Sequence, residues 1–352
     1  MRVLLTGDRG YLGEVTKREL SRCGLEIRGC DAGWFDPPGT PGERCDFRDL
    51  GEGELRGFDA VVHLAAVCND ASGEIVATAT EALNHAATTE FARAARNAGV
   101  RSFVLASSCS VYGAAGDVYA DEHYAPEPLT AYGASKLNAE RDVLALGGPE
   151  FGATALRFAT LYGYSPSFRS DLMVNRMVST AWRFGRINTS GTGAAIRPML
   201  HVADAAAAIC ATVAGDPALV TGRIFNVGRP GENFRVSDVA DLVSGTFPEA
   251  QIMNVGSEDA RTYSVAFDRF TTTFPEWRPR YRPADGVADV AAAYRRGDLA
   301  FPGADPEGWG TTDRRDHLLS LVRSAQLDEH FRRPSQLETG TEPLLPQSPS
   351  GE

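Results

Sequence analysis

The chain has 352 residues, enough to bury a sizeable core as one domain with an elaboration or as two domains. Acidic residues outnumber basic ones by 46 to 35, and the net charge of −11 excludes a dedicated nucleic-acid binder, since no basic excess exists to neutralise phosphates. No run of about 18 apolar residues occurs, so no membrane helix is expected. Six scattered cysteines without a C-x-x-C pair point to a reducing cytoplasm, with neither a disulfide framework nor a metal site.

The N-terminus, with about four apolar residues before turn glycines, is too short for a signal-peptide core. "RVLLTG" reads as a first strand, Tyr11 to Cys23 as a helix and "LEIRGCD" as a second strand. "FDAVVHLAA" is another strand, Glu81 to Ala98 a long helix, and "RSFVLASS" the next strand. A helix around Ala134 to Leu146 and the strand "ATALRFA" follow. Strands alternating with helices predict an α/β fold, a Rossmann-like doubly wound parallel sheet. Beyond about Tyr162 the alternation loosens. "SDLMVNRMVSTAWRFG", "VADAAAAICATVAG", "VSDVADLVSGTF" and "ADGVADVAAAYRRG" read as helices, "GRIFNVG" as a strand, and "DHLLSLVRSAQL" as a further helix. Chain order therefore groups 1–164 plus about 199–228 as one domain. About 165–198 plus 229–332 form a smaller lobe, and 333–352, rich in Pro, Ser, Gly and Glu, a disordered tail.

Gly7, Gly10 and Gly13 form G-x-x-G-x-x-G between a strand and a helix. That spacing gives a tight turn, close approach to a pyrophosphate and close helix–strand packing, with the helix N-terminus facing the charge. Asp31 ends the second strand, where an acid bonds the adenosine ribose. No arginine follows it directly, which favours NAD over NADP; Arg9 inside the loop is the counter-signal.

Tyr132 and Lys136 stand at i and i+4, on one face of a helix. A tyrosine with a pKa of roughly 10 is a poor base near neutral pH. A neighbouring ammonium and a cationic nicotinamide stabilise its phenolate. The pair can then take a proton from a sugar hydroxyl while a hydride leaves the same carbon. Lys17 and Lys136 are the only lysines among 35 basic residues, so a lysine here asks for a reason.

With these residues the chain resembles the extended short-chain dehydrogenase/reductases, specifically the NAD-dependent sugar-nucleotide epimerase/dehydratases. The resemblance rests on "TGDRGYLG", Asp31, "CDFRD", "HLAA", "SSCSVYG", "YGASK" and "RPMLHVAD". It implies NAD as cofactor, a nucleotide-diphosphate sugar as substrate and a homodimer. It places Tyr11 and Leu12 near the pyrophosphate, Asp46 and Phe47 against the adenine, and Leu64, Ala65 and Ala66 along the cofactor. Ser108 would complete a catalytic Ser–Tyr–Lys triad. Thr160 and Arg197 would touch the sugar diphosphate, with Asn175 and Arg261 as weaker substrate-side candidates. His63 and His201 read as core or turn histidines, and Asn84 as either a tie to the active-site loop or a buried amide. Cys68 reads as cleft lining, and Asn69 and Asp70 either touch substrate or form a polar loop.

The branches of this family differ after the first keto-sugar. The 4,6-dehydratases place Asp-Glu directly after the catalytic Thr, where this chain has Cys109 and Ser110; the decarboxylases' Glu is also replaced. The pattern resembles 4-epimerases, which need only the triad, although these commonly carry a lysine at the position of Cys68. A dehydratase or reductase of the same family, or a non-catalytic NAD-binding regulatory protein, is the alternative. Cys109 as an acid/base beside the carbonyl is a related possibility, set against a small buried residue.

Overall fold

Val3, Leu4 and Leu5 are all buried although they alternate in direction along the first strand, the signature of a strand covered on both faces. In the computed structural model, which describes residues 1–36, 40–116, 118–256, 259–299 and 312–334, that strand lies within a central parallel sheet. The first half contains β1 (Arg2–Thr6), α1 (Tyr11–Arg22), β2 (Glu26–Cys30), β3 (Ala60–His63), α2 (Thr88–Asn97), β4 (Ser102–Ser108) and β5 (Tyr119–Ala120). Then come α3 (Ala131–Ala145), β6 (Gly152–Phe158), β7 (Thr160–Tyr162), α4 (Met173–Phe184), β8 (Arg186–Ser190) and β9 (Ile196–His201). The remainder holds α5 (Val202–Ala214), β10 (Arg223–Val227), β11 (Asn233–Arg235), α6 (Val236–Thr246), β12 (Gln251–Val255), β13 (Ser264–Val265), α7 (Pro283–Arg296) and α8 (Arg314–Arg323).

The six-stranded sheet runs β10-β6-β4-β3-β1-β2, with every neighbouring pair parallel. Strand order reverses at β1, so a crevice opens beyond the carboxyl ends of β1 and β3, the usual ligand position in such sheets. This is the Rossmann-like doubly wound fold expected from the alternation. One face is covered by α1, α5 and the aromatics Phe267, Phe270, Phe274 and Trp277. The other is covered by α2, α3, and Leu318, Leu321, Leu327 and Phe331. A smaller lobe has its own core, built from α4, α6, α7, Ile187 and Met199, beside the three-stranded sheet β11-β9-β7.

Chain order grouped 229–332 with the smaller lobe, but residues 267–277 and 318–331 pack against the large sheet instead. Apolar spacing predicts a helix without naming the surface it covers. The expected tail lies outside the described residues from residue 335 onward. The cysteines also depart from expectation, since Cys23 is joined to Cys210 and Cys30 to Cys45, while Cys68 and Cys109 are free. The first pair is 187 positions apart in the chain, and packing of α1 on α5 brings it together. No helix among the described residues is long and apolar enough to cross a membrane.

Candidate active site

A cavity of about 540 Å³ occupies the crevice at the sheet's carboxyl end and reaches the smaller lobe. Gly7, Gly10, Tyr11, Leu12 and Gly13 form one wall. Gly7 has a φ of +69°, and a Cβ there would meet the Ala65 backbone nitrogen at 2.9 Å. A Cβ on Gly13 would lie 1.9 Å from the Gly7 carbonyl oxygen, so the turn closes only with glycine. Helix α1 starts at Gly10 without a side-chain cap, which leaves N–H groups for an anion.

Asp31 accepts hydrogen bonds from Gly33 N at 2.7 Å and Arg9 N at 3.3 Å. Burial raises its carboxyl above the usual range, partly offset by these donors. The Arg9 side chain is committed to Asp36 and the Glu43 carbonyl, both at 2.7 Å. The NADP counter-signal is thus engaged in a protein contact. Asp46 and Phe47 line the cavity, together with Leu64, Ala65 and Ala66. Burial works against the Asp46 charge, but four Arg48 contacts outweigh it and hold the carboxyl low.

Thr130 caps α3 by accepting from Gly133 N at 3.1 Å, and the helix presents Tyr132 and Lys136 to the cavity. Lys136 Nζ donates to the Ala106 carbonyl at 3.0 Å and lies 5.9 Å from the Tyr132 ring centre. Burial pushes the Tyr132 phenol well above its ordinary value, with Cys68 and Asp70 adding to the rise and Ser108 and Arg169 opposing it. Burial likewise lowers Lys136, against the pull of Cys68 and Glu140. Asn84 sits in a wide π-helical turn over Ala82–Ala87 and grips Val67 N at 2.9 Å, Val67 O at 3.0 Å and Ser135 Oγ at 3.1 Å. It is therefore a tie between helix and active-site loop.

Ser108 ends β4 and faces the cavity, its Oγ accepting from Ser110 N at 3.1 Å and Ser110 Oγ at 2.9 Å. Cys109 turns the other way: it is buried, its thiol donates to the Arg157 carbonyl at 3.3 Å, and burial pushes its pKa far up. The strand ends at Ser108, and the 3-10 turn that begins at Cys109 carries that thiol into the core, which removes it as an acid/base.

Toward the smaller lobe, Thr160, Arg197 and Arg261 line the cavity. Arg197 Nη2 donates to Asp259 at 2.6 Å; Arg261 reaches both Asp259, at 2.7 Å, and Asp70. Asn175 does not face the cavity; its amide accepts from Gly163 N at 3.0 Å and donates to the Arg169 carbonyl at 3.0 Å. It is a brace under the site. His63 lies between Thr6 and Thr88, where burial drives its pKa down to about 3, and His201 caps α5. Neither faces the cavity. Cys68, Asn69 and Asp70 do.

Sequence reasoning missed several cavity residues, notably Arg169, Asp171, Tyr263, Asp259 and Arg314. Arg169 is buried, paired with Asp171 at 2.5 Å, and close enough to act on Tyr132. A charged pair inside the apolar segment "FRSDLMV" was the available signal.

Residues 3–228, more than half of the chain, match the NAD dependent epimerase/dehydratase family. A UDP-glucose 4-epimerase from Corynebacterium glutamicum is 28% identical over 323 residues, covering 84% of this chain and 95% of that protein. A dTDP-glucose 4,6-dehydratase from an Actinoplanes species is 24% identical over 321 residues, covering 84% and 98%. The solved structure of MoeE5 in complex with UDP-glucuronic acid and NAD superposes with a TM-score of 0.75 at 27% identity, covering 84% of this chain and all of that one. With its uncapped glycine cradle, Asp31 and Tyr132–Lys136 facing one cavity, this chain belongs to the NAD dependent epimerase/dehydratase family.

Proposed function

We propose that the chain epimerises a nucleotide-diphosphate sugar at the carbon whose hydroxyl faces Tyr132. The phenolate removes the hydroxyl proton, with Ser108 orienting that hydroxyl, and a keto-sugar forms. Bound NAD would supply the reversible hydride acceptor for that carbon. Gly7, Gly10, Tyr11, Leu12 and Gly13 would hold its pyrophosphate, and Asp31 its adenosine ribose. Asp46, Phe47, Leu64, Ala65 and Ala66 line its remaining length. Burial raises the Tyr132 phenol, and the Lys136 ammonium, 5.9 Å from its ring centre, together with the positive charge of an oxidised nicotinamide would bring it toward a working base. Arg197 and Arg261 hold the substrate diphosphate, a match for planar guanidinium, with Thr160 beside the sugar.

The observation that carries this reading is the end of β4. Cys109 faces the core and Ser110 offers only a hydroxyl, so neither position supplies a carboxylate for elimination. Of the aspartates lining the cavity, Asp171 is bound to Arg169, Asp259 to Arg197 and Arg261, Asp70 to Arg261 and Asp46 to Arg48, while Asp31 accepts from the Gly33 and Arg9 backbone. Dehydration is the second reading, favoured by Asp70, whose charge acts on the Tyr132 phenol. Incubation with UDP-, dTDP-, GDP- and CDP-sugars, followed by NMR and mass spectrometry, separates the two. An isomer of unchanged mass is expected, and loss of water would refute epimerisation.

A further inference from the structure

Arg314 opens α8 and lies beyond the stretch that matches the family. Its side chain is buried, yet it lines the same cavity as the glycine loop. One guanidinium nitrogen donates to Ser167 Oγ at 2.6 Å, and the guanidinium carbon stands 4.1 Å from the Phe35 ring centre. The other terminal nitrogen, Nη1, has no hydrogen-bond partner. Neighbouring cations are already neutralised: Arg169 by Asp171, Arg9 by Asp36 and Lys17 by Asp8. Arg314 has no such carboxylate among the described residues. A buried cation with an unsatisfied N–H is costly unless an anion completes it.

Its position says which anion. Ser165, in the loop that holds Arg314, donates to the Tyr11 carbonyl at 2.7 Å, so that loop rests on the first residue of α1. Phe35 lies on the Asp31 side of the cavity, whereas Arg169, whose charge acts on Arg314, stands near Tyr132. A dinucleotide carries its diphosphate between those two ends. We propose that Arg314 is a cofactor-binding residue whose free Nη1 pairs with the pyrophosphate of NAD. Guanidinium suits this contact through planar, charge-assisted hydrogen bonds, and Arg314 supplies a cation that no carboxylate among the described residues pairs, unlike Arg9 of the glycine loop, which Asp36 holds. Burial, followed by repulsion from Arg169, pushes the Arg314 pKa down to about 10, as befits a cation awaiting its counter-ion.

The inference rests on the family's cofactor and not on epimerisation. Titration calorimetry of apo-protein with NAD, ADP-ribose, adenosine, UDP and dTDP tests it. Arg314→Gln should weaken NAD and ADP-ribose about tenfold or more, and leave adenosine, UDP and dTDP unchanged. Unchanged NAD affinity, or a loss falling on UDP and dTDP, would overturn the assignment. The latter would move Arg314 to the substrate's diphosphate. Should the Gln variant fail to fold, Arg314→Lys keeps charge and stem but loses the fork. A several-fold loss confined to NAD and ADP-ribose is then expected, and no loss refutes the contact. Wild-type protein that binds no NAD at all would instead overturn the cofactor reading itself.

Discussion

Tyr132 is half-buried, desolvation makes its phenol hard to ionise, and Ser108 and Arg169 oppose that rise, with Lys136 Nζ 5.9 Å from the ring centre. Tyr132→Phe removes the base and should lower turnover by about 10²–10⁴-fold with the circular dichroism spectrum unchanged. Lys136→Met should act through the phenol. Phenolate is the working form, so activity falls as pH drops through its pKa. Loss of the ammonium raises that pKa and moves the alkaline-rising limb of the pH–rate profile to higher pH. A profile unmoved by Lys136→Met would argue that Lys136 does not tune Tyr132. The two residues were legible because i, i+4 spacing on a helix fixes a shared face whatever the fold. Arg169 and Asp171 were less so, because their loop carries no periodicity and the flanking apolar residues are the one sequence sign that the pair is buried.

Among the elements, the turn from β1 into α1 leaves least room for change. A Cβ at Gly13 meets the Gly7 carbonyl oxygen at 1.9 Å and the Asp8 Cα at 2.8 Å, both backbone atoms that cannot swing away. Gly13→Ala should therefore destabilise by about 1–3 kcal/mol or more and weaken NAD binding, read by thermal melting and titration. Gly24→Ala, with nothing within 4 Å of its Cβ but a φ of +74°, pays only backbone strain, about 1–2 kcal/mol, and should bind NAD normally. Equal losses of affinity in both would show that the cradle's geometry is not what holds the cofactor. Most sheet strands and helices were readable from alternating apolar runs and glycine stops. The π-helical turn at Ala82–Ala87 was not, since it is stabilised by Asn84 reaching Val67 and Ser135 across the packing.

For the whole molecule, the C-terminal segment packs on the α2/α3 face of the sheet, beside Gly33 and Arg48. Leu318, Leu321, Leu327 and Phe331 fill the α2/α3 face, Arg48 donates to the His330 and Phe331 carbonyls at 2.8 and 2.9 Å, and Arg333 to the Gly33 carbonyl at 3.1 Å. Each of those apolar side chains contributes about 1.5–3 kcal/mol on burial, a sum comparable with a domain's net stability. A chain ending at residue 311 should lose its near-UV circular dichroism and cooperative melting. A truncated chain that melted as cooperatively as the full one would show the segment to be an appendage.

The sequence by itself determined the sheet, the cradle and the Tyr–Lys dyad, because each depends on local spacing: a period of two or 3.6, three glycines, or one helical turn. Only the tertiary structure decided which way Cys109 points, that Asn175 braces the site from beneath, which cysteines meet, and that α8 brings Arg314 into the cavity. Those outcomes depend on contacts between residues far apart in the chain. No local pattern encodes such pairings; packing of one face against another does.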